Sequence, residues 1–150
     1  MVEYRDTLLE ALGIDVVRAD VEGAVATMPV DHRTIQPFGY LHGGATAALL
    51  ETVASLGALQ HVDPETQSVF GVELCIRHVR STRAGVVTGT ATPAEIATNR
   101  QVWDVECRGA TGEVLSTGTC TVRVVDRRGV GDARSADRGT GGTLTSDVAE

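Results

Sequence analysis

The chain has 150 residues, a formal net charge of −7 and 42% apolar residues. That length suits one domain able to bury a respectable core. An acidic balance of this size argues against general nucleic-acid binding, which needs a basic footprint. With only 3% aromatic residues, the core must rest on Val, Leu, Ile and Ala. Cys75, Cys107 and Cys120 are far apart, odd in number and without metal-ligand spacing. They are expected to be reduced core thiols of a cytoplasmic protein, with no metal. The start "MVEYRDTLLEALG" lacks the basic residues and apolar run of a signal peptide. The longest apolar stretch is broken by Glu51 and rich in Gly and Ala, so no membrane span is expected.

Thr7 to Leu12 predicts a short helix stopped by Gly13. "IDVVRADVEGAVATMPV" holds two β-rich runs with a polar turn near Asp20 to Gly23. Pro29, Pro37 and Gly39 mark Asp31 to Leu41 as a loop. Gly43 to Gln60 predicts one long helix, its length and its Ala and Leu content outweighing a strand. In "SVFGVELCIRHVR", Phe70, Val72, Leu74 and Ile76 alternate, which predicts a half-buried strand with those four facing inward. The same alternation places His78 and Arg80 on that face. Further strands are expected at Gly85 to Ile96, Gln101 to Arg108 and Val114 to Val125, the last two joined through "GATGE" as a hairpin. Residues 1–126 form the expected domain, and 127–150 a flexible tail rich in Gly, Arg, Asp, Ser and Thr.

Strands joined by short turns imply antiparallel pairing. A single helix that is apolar nearly all round must be covered on most sides. A sheet curled around it, with a second copy covering the rest, meets that need. The expected class is α+β.

The long helix carries a single carboxylate, Glu51, amid apolar and small residues, and buried carboxylates are rare unless satisfied. Ser55 follows by four residues and shares its face. Gly44, Ala47 and Ala48 lie one to two turns earlier on much the same side, leaving room for something beside the helix. Close packing against a partner helix would explain the same stripe. "HGG" at the helix start offers backbone N–H groups with little steric cover and without intrahelical partners. With the helix dipole they favour a developing negative charge, such as an acyl-transfer oxyanion. Glu51 is eight residues beyond Gly43, roughly 12 Å along a helix. The carbon and oxygen of one carbonyl are only about 1.2 Å apart. One chain could therefore hardly serve both from these two residues. A site using both predicts a dimer with antiparallel helices across a two-fold axis.

"QPFGYLHGGATAALLETVAS" resembles the hotdog-fold acyl-CoA thioesterases. It is most similar to the branch holding the phenylacetate-degradation thioesterases and the Arthrobacter-type 4-hydroxybenzoyl-CoA thioesterase. The 1,4-dihydroxy-2-naphthoyl-CoA and enterobactin-pathway thioesterases carry very similar "PFG-LHGG" segments. The likeness runs from about Leu8 to Val125, with its specificity in Gln36 to Ser55. It implies a hotdog fold, in which a curved antiparallel sheet of about six strands wraps one long helix, paired into homodimers and often tetramers. It also implies an acyl-CoA substrate, aryl or medium-chain, and no cofactor. By position, Glu51 would be nucleophile or general base, and Gly43 N–H would polarise the carbonyl from the opposite subunit. Gln36 would orient the thioester or attacking water, His42 would support that loop, and Ser55 would assist one turn beyond the carboxylate. A thioester carbonyl has little resonance stabilisation, so a carboxylate can attack it or activate water without a metal.

Coenzyme A carries phosphates, and Arg suits them through its planar fork. Arg80 and Arg100 are the expected phosphate contacts, with Gly44 also placed against coenzyme A. His32 and His61 are expected at a loop and a helix end. There is no GxSxG elbow and no P-loop. Two rival functions share the scaffold. A dehydratase or hydratase needs a histidine upstream of the helix acid, where Gln36 stands instead. A non-catalytic acyl-CoA-binding protein could lack the carboxylate that Glu51 supplies.

Overall fold

The computed structural model describes residues 4–127. In chain order it holds α1 (Leu8–Leu12), β1 (Asp15–Asp20), β2 (Gly23–Pro29), α2 (Gly43–Leu59) and β3 (Gln67–His78). β4 (Val86–Ile96), β5 (Arg100–Arg108) and β6 (Val114–Asp126) complete it. The expected tail lies outside the described residues except for Arg127. That residue donates its N–H to Thr66 O at 2.8 Å and its Nε–H to Ser68 Oγ at 3.1 Å.

Local chemistry places the breaks. Gly13 ends α1 at φ 68°, a left-handed conformation that costs a glycine little. The "GATGE" turn closes β5 onto β6, with Gly112 at φ 85° and Gly109 N–H donating to Glu113 O. All strands pair antiparallel, in the order β1-β2-β4-β5-β6-β3. Six strands at about 4.8 Å spacing would span roughly 24 Å if flat. α2 nevertheless contacts every one of them, so the sheet curls around the helix. This is the hotdog architecture, α+β in class.

The helix buries Leu49, Leu50, Val53, Ala54 and Ala58 completely against Met28, Val87, Trp103 and Val122. Each large apolar side chain taken fully from water contributes about 1.5–3 kcal/mol. The opposite face of α2 is left largely open within one chain. Gly44 and Glu51 are exposed there, and Ala47, Ala48 and Ser55 are half-buried. Glu51 is thus not a buried carboxylate within one chain, contrary to the expectation from its apolar neighbours. Amphipathicity here is a matter of small residues, which hydropathy does not separate from core.

β3 departs from simple alternation. Its register against β6 slips between Gly71 and Glu73, a bulge at Val72. A bulge adds one residue and so flips the faces on either side of it. Val69, Leu74 and Ile76 pack on the core, while Phe70 and Val72 are 52% and 57% exposed. The expectation that all four alternating residues face inward therefore holds only beyond the bulge. β3 is also an edge of the sheet, twelve residues long and paired on one side only.

Candidate active site

The loop before α2 is built by short-range hydrogen bonds. Asp31 takes the Arg33 guanidinium at 2.6 Å and the Arg33 N–H at 2.9 Å. The guanidinium, foremost, holds the Asp31 carboxyl down at about 2. Thr34, 1% exposed, donates its hydroxyl to Pro29 O, and its own carbonyl accepts the His42 N–H at 2.8 Å. Gln36 closes the next turn: its N–H donates to Tyr40 O, its carbonyl accepts from Gly39, and its Oε1 accepts the Phe38 N–H. The amide NH2 of Gln36 is not used in that turn.

His42 is the N-cap of α2. Its Nδ1 accepts the Gly44 N–H at 2.8 Å, which assigns the ring proton to Nε2 in the neutral form. Capping leaves the Gly43 N–H without an acceptor among the described residues, at the positive end of the helix dipole. Gly43 borders a cavity of about 240 Å³ with Gln36, His78, Arg80 and Ser116. Arg80 donates to Val114 O at 3.1 Å, and Arg83 stacks on the Tyr40 ring 4.0 Å from its centroid.

Two turns further along α2, Glu51 and Ser55 line a separate groove of about 340 Å³. Its other walls are mainly apolar, with Leu8 and Leu9 from α1 and Leu56 and Leu59 from α2, beside Tyr4 and Thr52. The Glu51 carboxyl group lies against Gly71 of β3, where a side-chain methyl would fall 3.0 Å from its Cδ. The Glu51 charge also reaches Cys120, whose thiol is pushed up to about 11 mainly by burial.

The structure brings Gln36, His42, Gly43 and Arg80 together at one end of α2, and Glu51 with Ser55 at a second place on it. Gly44 is exposed beside the first group. Arg100 joins neither. It begins β5 opposite Arg123, paired with exposed Glu95 at 3.4 Å, whereas His78 and Ser116 mark the other end of the sheet. Two participants went unread in the sequence. Gly71 interrupts an alternating strand, a pattern that does signal a bulge or close approach. The pairing of His78 with Ser116 has no local signal, since the residues are 38 apart. Among the described residues no group of His, Cys, Asp and Glu could hold a metal ion. No helix among them is long and apolar enough to cross a membrane.

A helix start whose Gly43 N–H is free among the described residues and a helix-borne carboxylate, Glu51, thus stand on a hotdog scaffold. Residues 38–116 match the model of the Thioesterase superfamily. The chain is 38% identical to a 1,4-dihydroxy-2-naphthoyl-CoA hydrolase of Listeria monocytogenes, over 81% of this chain and 98% of that one. It is 37% identical to the enzyme of the same name in Escherichia coli, over 83% and 86%. Among solved structures, a thioesterase of Haemophilus influenzae superposes with a TM-score of 0.78 at 36% identity, covering 82% of this chain and 85% of that one. The chain belongs to the Thioesterase superfamily, and it is a thioester hydrolase.

Proposed function

We propose that the protein hydrolyses an aryl- or medium-chain acyl-CoA, in the manner of the phenylacetate-degradation and Arthrobacter-type 4-hydroxybenzoyl-CoA thioesterases. The observation carrying this reading is the division of the machinery along α2. An oxyanion donor, Gly43, stands at its start, and an exposed carboxylate, Glu51, stands about 12 Å away beside an apolar groove. Neither half is complete in one chain. Two chains joined with their α2 helices antiparallel would bring each Glu51 to the other's Gly43. The uncovered small-residue face of α2 and the open edge of β3 support such a homodimer. Dimers of dimers remain compatible with it.

In that assembly the thioester carbonyl oxygen accepts from Gly43 N–H, and the Gln36 amide NH2 helps orient the thioester or the water. Glu51 of the partner subunit attacks the carbonyl carbon or takes a proton from the attacking water, with Ser55 one turn away to hold it. The acyl group enters the groove beside Glu51, whose walls carry no cation for a second carboxylate. Arg80, at the cavity on the Gly43 side, is placed for the phosphates of coenzyme A. Arg100 could serve only from another part of the assembly. The names of the Listeria and Escherichia relatives support an aryl acyl group.

The test is thiol release from a panel of aryl and aliphatic acyl-CoAs, for the parent protein beside Glu51→Ala and Glu51→Gln. Loss of kcat by orders of magnitude in both variants, with folding and assembly intact, is the expected result. Variants that hydrolyse as well as the parent would make Glu51 structural. Binding of acyl-CoA without any turnover would replace this reading with a carrier or sensor.

A further inference from the structure

We propose that His78 is a catalytic residue, its Nε2–H being a second donor to the thioester carbonyl oxygen beside the Gly43 N–H. The inference rests on the thioesterase reading above and adds a residue to its site.

The geometry begins with the β3 bulge. Beyond Val72 the inward face carries Leu74, Ile76 and then His78, the last residue of the strand. His78 stands directly opposite Ser116 of β6, and its Nδ1 is 2.8 Å from the Ser116 hydroxyl. Ser116 is only 2% exposed, and His78 is the one partner its side chain has among the described residues. A buried hydroxyl has one proton to place, and placing it on Nδ1 satisfies it. That assigns the ring proton to Nε2. A serine in this role also locks the rotation of the imidazole.

The free Nε2 faces the start of α2. A methyl built on Gly43 would lie 3.0 Å from His78 Nε2 and 3.4 Å from Cε1, so the ring edge occupies the space a side chain would take. Gly43, His78 and Ser116 border the same 240 Å³ cavity. In the proposed site an oxygen accepting from Gly43 N–H, about 2.9 Å from that nitrogen, sits in this cavity beside the imidazole edge. Oxyanion sites commonly use two donors, and a lone backbone N–H at a helix start is half of one.

The step balances as follows. Water oxygen bonds to the carbonyl carbon while its proton passes to Glu51 of the partner subunit. The carbonyl π pair moves onto oxygen, held by Gly43 N–H and His78 Nε2–H. The pair then returns, the C–S bond breaks, and the thiolate takes the proton from Glu51 of the partner subunit. The products are the free acid and coenzyme A thiol, and His78 keeps its proton throughout.

The experiment compares parent, His78→Phe and His78→Gln on an alkyl thioester and on a thiophenyl ester of the same acid. Folding is checked by thermal unfolding and circular dichroism. His78→Phe leaves the buried Ser116 hydroxyl without its partner and should lower the melting temperature by a few degrees, with the variant still folded at assay temperature. His78→Phe should lower kcat about 10²–10³-fold on both esters with little change in KM. His78→Gln, which retains a donor amide, should recover at least tenfold of that. A His78→Phe variant within threefold of the parent overturns the proposal. So does a loss confined to the alkyl thioester, because that would make His78 an acid for the departing sulfur. A parent protein that hydrolyses and loses activity in Glu51→Gln, with His78→Phe unaffected, sinks this inference alone. An inactive parent sinks both.

Discussion

Gly71 of β3 is the floor on which the Glu51 carboxyl group of α2 rests: a methyl at position 71 would lie 3.0 Å from Glu51 Cδ and 3.1 Å from Cγ. Contacts that close force the neighbour to move, and a carboxylate displaced by about 1 Å can lose some 10²-fold in rate. Gly71→Ala should therefore cut kcat by about 10- to 100-fold. Its far-ultraviolet circular dichroism and melting temperature should stay close to the parent's. Unchanged kcat would show that Glu51 tolerates a second position.

The division of the site along α2 makes a complementation experiment decisive. Gly43 is the first helical residue, and His42 before it has φ −73° and ψ 131°, a conformation proline accepts in its predecessor. Gly43→Pro removes the N–H that the proposed oxyanion site uses and sets a Cβ 3.0 Å from His78 Nε2, so it disables that half of the site while keeping the helix start. Homodimers of Gly43→Pro or of Glu51→Gln should both be inactive. Co-expressed, half of the dimers should be mixed, each with one intact site, giving about a quarter of parental activity. No recovery from two inactive parents would mean that both groups act from one chain, and an active homodimer of either variant would make that group dispensable.

Gly57 tests the core rather than the site. A methyl there would lie 2.6 Å from Trp103 Cζ3 and 2.7 Å from Cη2. Trp103 is fully buried, and its indole N–H donates to Gln101 Oε1 at 3.1 Å. Gln101 in turn donates to Ala58 O at 3.4 Å, so the indole cannot swing away without breaking a buried chain of hydrogen bonds. Gly57→Ala should destabilise the fold by about 1–3 kcal/mol, despite alanine's better helix propensity. Urea unfolding would show this as a lower midpoint at an unchanged slope. A stabilised variant would mean the ring has room to shift.

The three cysteines should separate by reactivity. Burial pushes the Cys107 thiol up to about 12, with the Glu106 charge adding to it, and Cys120 up to about 11. Both stay protonated at pH 8, and the thiolate is the reactive form. Cys75 is exposed. A disulfide-exchange reagent at pH 8 should titrate one thiol per native chain and three after denaturation. Fast reaction of three in the native protein would show that the core opens.

Much of this protein was legible from local pattern. Every strand and both helices follow from period and punctuation, because backbone hydrogen bonding and turn chemistry act over a few residues. The spacing of Gln36, Gly43, Glu51 and Ser55 was readable for the same reason, all of it lying in one loop and one helix. Phe70 and Val72 were misplaced because a bulge depends on how β3 seats against β6, fifty residues on. Glu51 looked buried because its neighbours are apolar, yet exposure depends on where the sheet ends around the helix.

By itself, then, the sequence determined the element order, the antiparallel class and the separation of Gly43 from Glu51, since a helix rising 1.5 Å per residue sets them apart by a length no fold can change. Only the tertiary structure decided which faces of α2 remain open, that Gly71 lies beneath Glu51, and that His78 reaches Gly43 from the end of β3. Those are relations between segments distant in the chain, set by strand register and core packing, to which no local propensity is sensitive.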